Sequence, residues 1–237
     1  MVSGAGRPGP AGEKPGPGRA GSRAVPVLEP AGTVGGLPAQ SRELRRRGRE
    51  TLRRLCEAAI VVFDERGYNA ARVDDIVKQA RTSHGTFYLY FSNKEDLFLA
   101  LISGVTEQMR ELAGDLHSVR ADRAGYDELH DWIGRFYDLY AHYHPVIRAW
   151  TELNAQNPDM ARAGAFVLRR FIDQLVLRVR EIDPPPVSDP ETAALAMVSM
   201  VERSTFYAIV GMVRVSREDL VDNLATILHV GLFGGSR

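Results

Sequence analysis

The stretch Arg81–Leu97, RTSHGTFYLYFSNKEDL, constrains this chain more than any other. Ser83 and Thr86 bracket a polar start that includes His84 and Gly85. Four aromatics follow within five positions: Phe87, Tyr88, Tyr90 and Phe91. The spacing predicts a short helix from Ser83 to Leu89, with Phe87 and Phe91, four apart, on its buried side. Ser92 and Glu95 then read as a capping box. The helix they open is expected to bury Leu97, Phe98, Leu101, Ile102 and Val105.

Upstream, structure is expected from near Ser41. Leu52, Leu55, Cys56, Ala59, Val62 and Phe63 keep helical spacing, and Gly67 stops that run. Val73, Ile76, Val77 and Ala80 mark a second, short helix, with Asp74 and Asp75 in the first turn, where the helix dipole favours them. A tight turn at Arg81 and Thr82 joins it to the third. Three short helices with such a turn make a helix-turn-helix candidate, in which the start of the last helix meets base edges in a major groove.

The chemistry of that start fits. Gly85 lets the backbone come close. His84 can donate to a purine acceptor or accept from an exocyclic amine, and Thr86 offers a hydroxyl and a methyl. Tyr88 and Tyr90 point away from the core, their phenols free to reach phosphate oxygens. Lys94 stands where a cation and free helix amides can share one phosphate. A small helical domain with a solvated polar helix satisfies the same local pattern.

Charge bears on this through its distribution. The formal net charge is +0, which alone argues against a nucleic-acid partner. Residues 1–40 hold 4 Lys+Arg against 2 Asp+Glu, residues 41–100 hold 12 against 9, and the remainder is acidic by 5. The basic residues are mostly arginine, 27 against 3 lysines. A G+C-rich coding bias and bidentate phosphate recognition both account for that. Arg42, Arg45, Arg46, Arg47, Arg49, Arg53 and Arg54 precede or begin the first helix. They read either as a flexible arm able to enter a minor groove or as a solvated face with Glu43 and Glu50.

From Leu52 to Leu101 the chain resembles the DNA-binding domain of the TetR family of bacterial transcriptional regulators. The resemblance rests on FDERGY (Phe63–Tyr68), VDDIV (Val73–Val77) and SHGTFYLYFSNKEDL (Ser83–Leu97). It implies an all-α chain: an N-terminal three-helix DNA-binding domain with a helix-turn-helix, and a larger C-terminal helical domain for ligand binding and dimerisation. It also implies DNA contacts by Arg72, Ser83, His84, Gly85, Thr86, Tyr88, Tyr90 and Lys94. Two positions depart from the family pattern. Ala71 and Arg72 stand where threonines usually enter the second helix, weakening its cap. Arg81 stands where the turn usually has glycine, at a cost of about 1 kcal/mol if that residue is left-handed.

The expected division is a Gly/Pro-rich disordered tail over 1–40, with 10 Gly and 7 Pro, a reading domain over 41–92 and a regulatory and dimerisation domain over 93–237. In the last, Leu129, Trp132, Ile133, Phe136, Tyr137 and Tyr140 mark one helical stripe, and Pro145 is expected to open a separate short helix ending near Asn157. Leu168, Phe171, Ile172, Leu175, Val179 and Ile182 mark a long helix that the run Asp183–Pro186 breaks. Two more are expected over about 190–213 and 217–232. Their residues Leu195, Val198, Val201, Ile209, Leu220, Leu224, Ile227 and Leu228 suit an interface between two subunits. Trp132, Phe136, Tyr137, Tyr140, Trp150, Phe171, Glu202 and Phe206 are the candidates to line an apolar ligand cavity with a few polar anchors. His142, His144, Glu152, Asn154 and Arg203 are further anchors.

These features point to a homodimeric, cytoplasmic, nucleoid-associated repressor of a palindromic operator, released by a small apolar or aromatic effector. A constitutive or activating regulator without such a ligand is the alternative. No catalytic residue, cofactor or membrane partner is expected. His142 and His144, two apart, lack a third metal ligand. There is no phosphate loop or nucleophile elbow to support the rival reading of a helical enzyme. A protein-interaction module with an idle helix-turn-helix is the other rival. The single cysteine excludes a disulfide framework within the chain.

Overall fold

In a computed structural model, residues 39–117, 119–154, 158–181 and 188–234 are described, with side chains from residue 47 onward apart from those of 154, 158–161, 163, 164, 166 and 167. Except for its last two positions, the 1–40 segment lies outside them, as does the 183–186 break. Among the described residues the chain forms eight α-helices and no strand. They are α1 (Ala39–Arg66), α2 (Val73–Gln79), α3 (His84–Tyr88), α4 (Lys94–Asp115), α5 (Arg123–Asn154), α6 (Pro158–Arg180), α7 (Pro190–Ile209) and α8 (Arg217–Leu232).

Two hydrophobic cores organise them. The first gathers Leu55, Phe63, Ile76, Phe87, Leu97, Phe98 and Leu101 from α1 to α4, all nearly inaccessible. Its centre is an aromatic cluster in which Tyr68 meets Phe63 at 5.4 Å and Phe98 at 4.6 Å between ring centroids. The second gathers Leu112 and Ala113 of α4 with the inner faces of α5, α6, α7 and α8. The first core crosses the expected boundary at residue 93, whereas the second lies wholly beyond it. The first half of α4 belongs to one and its last turns to the other. Tyr143, Val146 and Ala149 of α5 close the first core, while Leu129, Trp132 and Phe136 of the same helix build the second. Met109, Leu139 and Ile147 touch both.

Several expectations need correction. Pro145 does not open a new helix: α5 runs through it to Asn154. Proline removes one amide donor from the ladder. The buried residues on either side, Tyr143 and Val146, hold the helix against the first core and outweigh that loss. The cap of α4 is Asn93, not Ser92. Asn93 Oδ1 accepts from Asp96 N at 2.8 Å, and Asp96 Oδ2 accepts from Ser92 N at 2.9 Å, so the reciprocal pair is displaced by one residue. α7 stops at Ile209 because Gly211 takes a left-handed φ of 70° and its neighbours close the helix end. The arginines of 42–54 lie on a helix, not on a flexible arm, since α1 begins at Ala39.

The faces assigned to subunit pairing also change. Val198, Val201, Leu224 and Leu228 are buried in the chain's own second core. The exposed large apolar residues of these helices are Leu195, Met200, Tyr207, Ile227 and Val230, with Val210 just past the end of α7.

Candidate nucleic-acid interface and effector cavity

The helix-turn-helix is closed by hydrogen bonds that the sequence only partly announces. At the end of α2, Thr82 N donates to Val77 O at 2.9 Å and Arg81 N to Lys78 O at 3.2 Å. This paired closure requires a left-handed residue between helix and loop. Arg81 supplies it with φ 52°, the sole described non-glycine residue at positive φ. The start of α2 has half a capping box: Asp75 Oδ2 accepts from Arg72 N at 3.2 Å, and arginine offers no acceptor in return. Arg72 is left exposed at that end.

Ser83 caps α3. Its Oγ accepts from Thr86 N at 3.1 Å and lies 2.9 Å from Thr86 Oγ1, so the two hydroxyls fix each other at the mouth of the reading helix. His84 Nε2 lies 2.8 Å from Asp74 Oδ1. That contact ties the α3 ring to the first turn of α2. Phe87 is fully buried and Phe91 nearly so, which turns His84, Gly85 and Tyr88 outward as expected. Leu89 was missed by sequence reasoning. It is 82% exposed, one turn beyond Gly85, and an apolar side chain there suits a thymine methyl. The four-residue step from Gly85 was the available signal.

Tyr90 and Lys94 are more committed than the sequence indicates. Tyr90 is half-buried against the first core, its hydroxyl so near Gly48 that a Cβ there would stand 3.4 Å away. Lys94 Nζ donates to the carbonyls of Tyr68 at 2.8 Å and Ala71 at 3.1 Å and lies 4.3 Å from the centre of the Tyr68 ring. The ammonium thus pins the α1–α2 connection to the start of α4.

Behind the first core, α4, α5, α6 and α7 line a partly open cavity of about 730 Å³. Of the candidates, Phe136, Tyr140, Trp150, Phe171 and Glu202 line it. Trp132, Tyr137 and Phe206 do not, and each has a physical reason. The Trp132 indole N–H donates to Leu112 O at 2.7 Å inside the second core. Tyr137 lies toward α8, 5.8 Å from the Arg217 guanidinium. Phe206 packs on His144 at 6.0 Å and under Arg203 at 5.1 Å. The α4 wall, Ile102, Val105, Thr106 and Met109, was not anticipated as lining, because an apolar stripe on one helix does not reveal which part of it meets a void. The polar end of the cavity is a chain of three groups. Tyr140 donates its hydroxyl to Glu202 Oε1 at 2.8 Å, and Arg203 Nη2 lies 3.5 Å from Glu202 Oε2. Burial, reinforced by the Glu202 carboxylate, raises the Tyr140 phenol, so it remains a donor. Burial lowers the His144 imidazole, which favours its neutral form. Of the other anchors, His142 lies 3.7 Å from Glu57 and Glu152 is exposed. Among the described residues no group of three or more His, Cys, Asp or Glu could hold a metal ion, and no helix is long and apolar enough to cross a membrane.

The family model for bacterial regulatory proteins of the tetR family matches residues 55–101, the segment from the first core residue of α1 to the middle of α4. Over this segment the chain is similar to the TetR family. The regulator YvdT of Bacillus subtilis is 43% identical over 65 residues, 27% of this chain and 34% of that protein. The chain thus matches only about a third of the length of this relative. The transcriptional regulator EthR of Mycobacterium tuberculosis is 25% identical over 215 residues, 87% of this chain and 98% of EthR. Among solved structures, the transcriptional regulator FadR from Bacillus subtilis, in complex with stearoyl-CoA, superposes with a TM-score of 0.57 at 24% identity. That likeness covers 76% of this chain and 98% of FadR, and it shows a shared TetR-type fold.

Proposed function

We propose that this chain is a homodimeric transcriptional repressor that reads a palindromic operator with α3 and is released when a small apolar molecule fills the α4–α7 cavity. One observation carries the reading. α4 begins three positions after Phe91, which packs against Phe87 of α3, and the same α4 supplies Ile102, Val105, Thr106 and Met109 to the cavity wall. A ligand that prefers one setting of α4 therefore also prefers one setting of the reading head. Its differential affinity for the two settings is what shifts operator binding.

His84, Gly85 and Thr86, with Leu89, are assigned to base edges and adjacent phosphates. Arg72, Ser83, Tyr88, Tyr90 and the remaining donor of Lys94 are assigned to the backbone. The exposed residues Met200 and Tyr207 of α7 and Val210 at its C-cap, with Ile227 and Val230 of α8, are assigned to the partner subunit. Two-fold pairing presents the same helix twice and demands mirrored half-sites. A cytoplasmic, nucleoid-associated location follows from the same reading.

The cavity volume falls within the usual range for small-molecule sites. FadR is seen with stearoyl-CoA, so acyl-CoA esters and free fatty acids are the first effectors to assay. Selection of bound duplexes from a random pool tests the core of the proposal: a mirrored consensus is expected. In a gel shift, the variant His84→Ala with Tyr88→Phe should lose that duplex. If no sequence is enriched, the repressor reading fails. If a consensus emerges but no ligand of any apolar class releases it, the constitutive or activating alternative stands.

A further inference from the structure

The cavity behind the first core is long and largely apolar, and its charge is gathered in one place. Phe136 and Trp150 both line it from α5, fourteen positions apart. At about 1.5 Å per residue that is a span of roughly 21 Å. Leu168 of α6 and Leu195 of α7, each half exposed, mark its rim, while Phe136, Tyr140 and Val198 are buried. Among the described residues that line it, the acidic and basic ones are Glu202 and Arg203.

These two charges are not equivalent. The Glu202 side chain is 31% exposed and that of Arg203 54%. The Arg203 guanidinium lies over the rings of Phe206, at 5.1 Å, and Tyr207, at 5.8 Å, and Tyr207 is exposed. Glu202 is tied instead to Tyr140, a buried lining residue whose hydroxyl donates to Oε1 at 2.8 Å. The carboxylate is therefore the inner charge and the guanidinium the outer one. A carboxylate accepts about four hydrogen bonds. Tyr140 supplies one, and Arg203, 3.5 Å from Oε2, makes only a long contact. Acceptor capacity thus remains on Glu202, whereas the Tyr140 hydroxyl is already committed. Thr106 and Ser199 also line the cavity, but a hydroxyl can donate or accept, so neither decides which head group fits.

Resting on the effector reading above, we propose that Glu202 selects the head of the effector, an apolar chain that ends in a protonated amine. The ammonium sits on the remaining acceptor positions of Glu202 and the chain lies along α5. An ammonium carries three donors and no acceptor, and a charge-assisted bond is stronger than a neutral one. The partly open cavity leaves the cation some of its water, which limits the cost of desolvation. An alcohol offers a single donor and ranks second. A carboxylate ranks last, because it meets a like charge in a site of low dielectric. The free fatty acids that the FadR comparison brings forward are thus the disfavoured arm.

The test uses the full chain and three probes of equal length, decylamine, decan-1-ol and decanoate, each below its micellar concentration at neutral pH. Isothermal titration measures their binding without DNA. Decylamine should bind about tenfold or more tighter than decanoate. Glu202→Gln keeps an acceptor for Tyr140 and removes the charge. It should weaken decylamine about tenfold, leave decan-1-ol nearly unchanged and erase the preference over decanoate. Glu202→Asp should keep that preference, and Arg203→Gln should not weaken decylamine. The ranking in the parent chain decides even if Glu202→Gln fails to fold. Tighter binding of decanoate, lost in Arg203→Gln, would make Arg203 the partner of the head group. That result overturns the proposal and leaves the cavity as the effector site. Equal binding of all three probes also overturns it, since the cavity would then take a chain whatever its head. Selective binding of decylamine without release of the operator supports the site and overturns release by an effector. No binding of any probe overturns the site and the effector reading together.

Discussion

Arg81 is the residue where fold and sequence disagree most. It occupies a left-handed position that α7 fills with Gly211 in the same helix-closing arrangement. Arg81→Gly should therefore raise stability by about 1 kcal/mol, seen as a higher midpoint in thermal or urea unfolding. An unchanged midpoint would mean the arginine side chain recovers that cost elsewhere. Cys56 offers a second check. It sits in the first core, and burial pushes its thiol up to about 12, so little thiolate forms near neutral pH. Dithionitrobenzoate should modify it only as the protein unfolds. Rapid labelling of the native protein would contradict the packing of α1. The departure at position 81 could be seen in the sequence, because a glycine was missing from a turn that needs one. The role of Lys94 could not. Its carbonyl partners, Tyr68 and Ala71, lie 26 and 23 positions earlier, and no local pattern couples them. Lys94→Met should cost about 1–3 kcal/mol by removing two charge-assisted hydrogen bonds, and denaturant unfolding would measure it.

At the level of elements, capping decides where α4 starts. Asn93→Ala should cost about 1 kcal/mol, whereas Ser92→Ala should cost little, because the Ser92 backbone, not its side chain, makes the bond to Asp96. Paired unfolding curves separate the two; equal losses would restore the cap to Ser92. Both residues are good caps, so composition alone cannot choose between adjacent positions. The backbone angle that decides depends on how Phe91 anchors the preceding loop. Pro145 is a related case. Its ring predicts a helix boundary, but the helix continues, because what holds α5 there is a core assembled largely from residues before position 106. Short, strongly periodic helices such as α2 and α3 were legible to within a residue. Long helices that serve two cores were legible in type but not in extent.

For the whole molecule, the helix-turn-helix and the aromatic-rich body were visible in the sequence, but the surface proposed for pairing was not. In a bundle, both sides of a helix such as α7 carry apolar residues, and periodicity does not say which side meets a second copy. The solvent-facing set now makes a direct prediction. Tyr207→Glu with Ile227→Glu should shift the protein from dimer to monomer in sedimentation and lower operator affinity, while Val198 and Leu224, buried within one chain, should respond to truncation by unfolding instead. A variant that stays dimeric would move the pairing surface elsewhere. Finally, α4 and α5 thread both cores, and Arg148 of α5 donates to the last-turn carbonyl of Phe63 at 3.1 Å. The head is therefore not a detachable module. Cut after residue 115, it would lose Tyr143, Val146 and Ala149 from its lid and expose the ring cluster around Phe98. Heat should melt the intact chain in one cooperative step, without a surviving fragment.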